Sequence, residues 1–182
     1  ERKFIKYGEK VNRIYHNVSN LSKISREFLT VKGKRFNYID IPNCQPLLLM
    51  AFLKENGLDY DKEYYDYAIG ADLYEQFMNK RYDIHSPKLS VKQYMLDDRE
   101  ETKNEMYRTV FFKWQTNTDM NREFKRLFPV TWASIDGFLA DNDETMASVL
   151  QNMEAAIMNP IRPYNSHYFT LFDAIYFTSV AD

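Results

Sequence analysis

The sequence predicts an α+β domain in which a small antiparallel sheet packs with several long helices. Three observations carry that expectation. Phe36, Tyr38 and Asp40 alternate with Asn37, Ile39 and Ile41, and an aromatic, β-branched run fills 167–180; both are strand signatures. Between them, apolar residues recur at helical spacing over long stretches. Five Gly and six Pro against 14 Tyr and 13 Phe, in a 182-residue chain that is 45% apolar, argue against disorder and for one substantial core. A single domain over 1–182 is therefore expected.

Taken in order, residues 2–16 read as loosely helical, and Asn17, Ser19, Asn20 and Ser22 interrupt them. A short helix is expected over 22–29 and a turn around Gly33. The strand near 36–41 ends at Pro42, which cannot donate to a ladder. Gln45 to Asn56 reads as a helix with Pro46 in its first turn and Gly57 beyond its end. Residues 61–80 are expected to be helical, 84–89 a loop, and Ser90 an N-cap. The run near 97–114 is the strongest helix, with Asp97 or Asp98 suited to the positive end of its dipole. Helices follow over 120–127 and from Pro129. Met146, Val149, Leu150, Met153 and Ile157 then mark a stripe that stops at Asn159-Pro160. Two strands joined at or near Asp173-Ala174 close the chain.

Composition excludes several classes. No apolar run reaches 18 residues and no cleavable signal pattern is present, so neither membrane contact nor secretion is expected, and the cytoplasm is the expected location. One cysteine, Cys44, excludes an internal disulfide, and three histidines make a histidine metal cluster unexpected. Charge is uneven. Residues 1–35 carry ten Lys/Arg against three Glu, a net of +7, whereas 36–182 carry 14 against 23 acids, a net of −9. A basic leader before an acidic body is either a solvated face or a phosphate-contacting segment beside a cation-holding one.

Three features break the local pattern. Asp40 lies where a strand meets a helix, and either caps that helix or holds a ligand. Asp173 sits inside an apolar hairpin, where burial without a partner would cost several kcal/mol, so it is a turn residue or a ligand. Arg99, Lys103, Tyr107 and Phe111 stand four residues apart on the strongest helix, hence along one side of it. That stripe is either a solvated end with a core end, or two cations for phosphates followed by two rings for a base. Two aspartates on neighbouring strands supply the hard oxygen ligands that a pair of divalent cations needs.

In order and spacing these residues resemble the palm and fingers region of family A DNA polymerases. Asp40-Ile41-Pro42-Asn43-Cys44-Gln45 is similar to the family's Asp-Tyr-Ser-Gln-Ile-Glu motif, and Phe172-Asp173-Ala174 to its His-Asp-Glu hairpin. Arg99-x3-Lys103-x3-Tyr107-x3-Phe111 keeps the spacing of the fingers helix. Arg13, seven residues before Asn20-Leu21, resembles a template- and primer-touching segment. Gly70-Ala71-Asp72-Leu73-Tyr74 and the run from Leu127 to Ile135 resemble further stretches. The departures are Gln45 in place of Glu, Phe111 in place of Tyr, and the loss of the His and Glu beside Asp173.

The resemblance implies a palm-like sheet (36–41 and 167–180), a basic leader over 1–35, a fingers-like helical insert over 90–140, and neither thumb nor exonuclease domain. It implies template-directed nucleotidyl transfer by two Mg²⁺ ions on the catalytic pair Asp40 and Asp173. Arg99 and Lys103 would hold the triphosphate, Tyr107 would stack on the nucleotide, Phe111 would pack near the templating pair, and Gln45 would lie against the sugar. Arg13, Asn20, Lys23 and Gln151 would contact primer or template. The implied partners are primer-template nucleic acid, nucleoside triphosphates and other replication proteins, in a phage or mobile-element setting inside a host bacterium. Two alternatives stand beside this: a single-subunit RNA polymerase-like enzyme, and a degenerate palm-like module that binds nucleic acid or a replication partner without catalysis.

Overall fold

The structure, a computed structural model, describes residues 5–8, 11–70, 72–85, 94–112, 114, 117–164 and 167–178. It is α+β, and its contacts divide the chain into two compact units, residues 1–44 with 151–182 and residues 45–150. Among the described residues no helix is long and apolar enough to cross a membrane.

The first unit carries the strands. Where a helix was expected over 2–16, the described residues form instead the paired strands β1 (Ile5–Tyr7) and β2 (Ile14–His16), antiparallel with Lys6 opposite Tyr15. The reason is local. Ile and Tyr favour a pleated surface, and Gly8 closes the loop with its N–H on the Arg13 carbonyl at 3.0 Å. A Cβ at position 8 would stand 2.5 Å from the Val11 carbonyl oxygen, so only glycine fits. A 3-10 turn (Asn17–Asn20) leads to α1 (Lys23–Glu27), which Ser22 caps by accepting the Ser25 N–H.

Next come β3 (Thr30–Val31) and β4 (Lys34–Arg35), joined by Lys32 and Gly33, both at positive φ. Positive φ at both loop positions is the type I′ hairpin turn, for which Asn-Gly is the preferred pair. Lys32 bears the left-handed cost without a short polar side chain to offset it. Lys32→Asn should therefore raise stability by about 0.5–1 kcal/mol, read as a higher urea midpoint at unchanged slope.

The larger sheet has the order β5-β7-β6: β5 (Asn37–Asp40), β6 (Tyr168–Leu171) and β7 (Ala174–Phe177), all antiparallel. One face carries Leu171, Ala174 and Tyr176, which bury a small core with Phe36, Phe169 and Phe172. Tyr176 stacks on Phe169 at 4.8 Å and on Tyr38 at 5.5 Å. Such cross-strand ring pairs hold strand register.

The second unit is helical: α2 (Cys44–Glu55) enters it at Gln45, α3 (Lys62–Gly70), α4 (Leu73–His85), α5 (Tyr94–Met106), α6 (Asp119–Leu127) and α7 (Pro129–Asp141) follow, and α8 (Met146–Met158) starts in it and belongs to the first unit from Gln151 on. Where one helix was expected over 61–80, Asp72 divides it by capping α4, its Oδ1 accepting the Tyr74 and Glu75 N–H groups. Ser90, the expected N-cap before α5, lies outside the described residues. The core is aromatic: Tyr64 meets Phe124 and Phe128 edge-on, and Phe77 stacks against Phe124. Asp61 and Thr131 exchange backbone-to-side-chain bonds of 2.8 and 3.0 Å across 70 residues, which satisfies an unpaired N–H in the first turn of α7. The apolar row of α8 follows Met146, Leu150 and Met158 rather than Met153 and Ile157, and Ile157 is exposed.

Candidate functional site at the end of the three-stranded sheet

Asp40 is the last residue of β5 and pairs with Ala174, the first residue of β7. The next ladder bond runs from the Ile41 N–H to the carbonyl of Asp173, at 3.1 Å. Both aspartates thus stand at one end of one sheet, on neighbouring segments. Asp40 shares its pleat face with Ala174, whereas Asp173 leaves the ladder in the two-residue loop Phe172-Asp173. Asp40 is exposed and forms no ion pair with a described residue; Asp173 is half-buried.

The loop is strained in a specific way. Phe172 has φ +53°, a left-handed conformation costly for a bulky residue. Its ring is held from two sides, with the Arg13 guanidinium 4.9 Å over its centroid and Tyr15 against it edge-on at 6.4 Å. Arg13 in turn donates to Glu154 of α8 at 2.6 Å, and these side chains are 13% and 2% exposed. Around the pair, the Asn12 N–H donates to Asn152 Oδ1 and Asn159 Nδ2 donates to the Asn12 carbonyl, both at 2.9 Å. Arg13, the residue expected to contact nucleic acid, is thus half-buried and tied to Glu154 and the Phe172 ring.

Cys44 senses the same charges. Burial pushes its thiol up to about 12, and the carboxylates of Asp173 and then Glu154 push in the same direction against the opposing pull of Arg13. The thiol is neutral and inert at ordinary pH. Because the unfolded thiol ionises near 9 and the folded one near 12, the unfolded state binds fewer protons between those values. Stability from this group is intact below about pH 9 and falls as pH rises toward 12. An alkylating reagent at pH 8 should leave native Cys44 unmodified and label it in denaturant, as read by intact mass.

Sequence reasoning missed Glu154. Its signal was present: it stands four and eight residues after Leu150 and Met146, an acid in an apolar row, which needs a buried cation. Among the other expected contacts, Asn20 and Lys23 are exposed on the first unit, and Gln151 is half-buried.

The helix stripe belongs to the second unit. Arg99 is not a free cation there: it binds Asp72 through Nε at 2.8 Å and through Nη2, and lies 5.8 Å over the Tyr74 ring. Lys103 is half-buried, 6.0 Å over the Tyr107 ring, with no ion pair to a described residue. After Met106 the helix widens into a π turn (Tyr107–Phe111), closed by the Phe112 N–H on the Tyr107 carbonyl at 3.1 Å. The wider turn brings Phe111 and Phe112 together against Tyr107, at 6.0 and 5.4 Å. Phe111 is 0% exposed and belongs to the core of this unit, with no ring face open to a base pair. Gln45, at the start of the second unit, is likewise buried.

Among the described residues no group of three or more His, Cys, Asp or Glu side chains is arranged to hold a metal. The donor set at the sheet end is the carboxylate pair. Mg²⁺ is commonly held by one or two carboxylates, with waters and substrate phosphates completing its octahedron. Asp40 and Asp173 supply the two carboxylates such a mode would use. Set against known proteins, the chain matches no protein family, no curated protein and no solved structure.

Proposed function

We propose that the sheet end carrying Asp40 and Asp173 serves template-directed nucleotidyl transfer with Mg²⁺. The observation that supports this most is the register that sets Asp40 beside Ala174 and the Ile41 N–H on the Asp173 carbonyl. It puts two aspartate residues at one end of the sheet, Asp173 in the strained loop whose Phe172 ring lies under Arg13. When bound, divalent cations would lower the pKa of an attacking hydroxyl and offset charge on the leaving pyrophosphate. Asp40 and Asp173 would hold them. Lys103 and Arg99 would bind the triphosphate, Arg99 exchanging Asp72 for phosphate oxygens, and Tyr107 would offer its ring. Exposed Lys23 and Asn20 would meet the nucleic-acid backbone.

A second reading has its own observation. Arg13 and Arg99 are both committed to internal carboxylates and Phe111 is core. These favour a palm-like module that binds nucleic acid or a replication partner without catalysis. Extension of a labelled primer separates the two readings. The first expects Mg²⁺-dependent product with dNTPs or NTPs, and the preferred set distinguishes a DNA from an RNA polymerase-like enzyme. Absence of product with either set, from protein that still binds primer-template, rejects the first reading.

A further inference from the structure

In the second unit, a cavity of about 470 Å³ opens where α6 and α7 meet the chain preceding α6. Its volume is that of a small-molecule site. Trp114 and Trp132 form its aromatic wall, stacked with centroids 4.0 Å apart and planes 24° apart. Trp114 is core, at 4% exposure, and its indole N–H donates to Asp136 at 3.3 Å. Trp132 is half-buried and lines the cavity, with Trp114 covering one of its faces. Lys125 stands 5.9 Å over the Trp132 ring, exposed and without an ion pair to a described residue. Arg122 also lines the cavity, tied to Asn117 and paired with Asp119, so Lys125 supplies the uncommitted charge.

An indole face with Trp114 behind it and an ammonium above it fits a flat aromatic group that carries an anion, the ammonium moving from the ring to the anion as the group stacks. We propose that this cavity binds a nucleotide, its base stacked on Trp132 and its phosphate on Lys125, with Arg122 as a further donor. A base of any identity can stack, because every base has a π-face, and one or two phosphate contacts give a shallow salt dependence. The nucleotide can come from a single strand or be free in solution. The inference stands apart from the carboxylate chemistry of the sheet.

Both tryptophans of the chain lie in this cavity, so emission excited selectively from tryptophan, apart from the 14 tyrosines, reports on it. The whole protein is titrated in EDTA with a ten-nucleotide oligo(dT) and, separately, with dTMP. Saturable quenching is expected. Tighter binding of the oligonucleotide assigns the site to single strands, and equal affinity assigns it to free nucleotide. Trp132→Ala should weaken binding between about 5- and 150-fold, the loss typical of a stacked base, whereas Trp132→Phe should retain most of it. Lys125→Glu changes an exposed side chain, keeps the fold if Trp132→Ala does not, and should weaken binding and flatten its salt dependence. A chain carrying Asp40→Asn and Asp173→Asn should bind as tightly as the parent, which separates this site from the sheet end. Absence of saturable quenching by both ligands, or an affinity that Lys125→Glu leaves unchanged, overturns the proposal.

Discussion

Asp40→Asn and Asp173→Asn should each abolish Mg²⁺-dependent primer extension while leaving circular dichroism and the unfolding midpoint near those of the parent. The loss follows from donor chemistry. Asparagine keeps the shape and one oxygen but removes the anion, and Mg²⁺ parts with its waters reluctantly for a neutral ligand. Removing a partner that only supports a metal ligand typically costs about 10–100-fold, so removal of a ligand itself should exceed that. The fold should survive for a reason specific to each site. Asp40 is exposed and without an ion pair to a described residue, and such substitutions usually stay within about 0.5 kcal/mol. At Asp173 the ladder bond from Ile41 uses the backbone carbonyl, which asparagine retains. Calorimetric titration with Mg²⁺ and nucleotide checks the cause directly: each variant should lose the cation-dependent heat. Near-normal extension by either variant would remove that aspartate from the catalytic pair.

How far the chain could be read in advance depends on the kind of signal each element left. Most helices, together with β5 and the β6–β7 hairpin, were legible because their apolar periods run long enough to separate strand from helix. Asp40 at a strand end and Asp173 at a hairpin turn were legible for the same reason, since Pro42 and the apolar flanks bound those segments. The β1–β2 hairpin was not, because three-residue strands among Lys and Arg carry too little period to outweigh a loose helical pattern. The break between α3 and α4 comes from an Asp72 cap, without a proline to announce it.

The stripe shows the limit most plainly. Four-residue spacing describes a solvated face and a core face equally well, and the π turn that buries Phe111 has no mark in the sequence. That Arg99 is already paired was not legible, because its partner Asp72 is 27 residues away. The tryptophan cavity was hidden by distance as well: Trp114 and Trp132 become a stacked pair only once α6 folds back on α7.

Breaking the Arg13–Glu154 pair should destabilise the chain about as much as truncating a core aromatic ring. Glu154 is buried and Arg13 nearly so, at 2% and 13% side-chain exposure, so Glu154→Leu leaves a largely covered guanidinium without its partner, which typically costs up to about 3–5 kcal/mol. At the size of this chain that lowers the melting temperature by on the order of 10 °C, measurable by calorimetry. Glu154→Gln, which keeps volume and an acceptor, should cost less, about 1.5–3 kcal/mol for the lost charge on the bond. Replacing both partners, as Arg13→Met with Glu154→Leu, should recover most of the stability, because packed apolar side chains carry no desolvation penalty. Recovery of stability should not bring back function. Without the guanidinium over Phe172, the strained loop that carries Asp173 loses one of the two contacts on its left-handed residue. The double variant should fold well and bind Mg²⁺ with nucleotide more weakly than the parent. A double variant restored in both respects would show the pair to be structural alone, and a Glu154→Leu chain within about 1 kcal/mol of the parent would show that its burial is not felt.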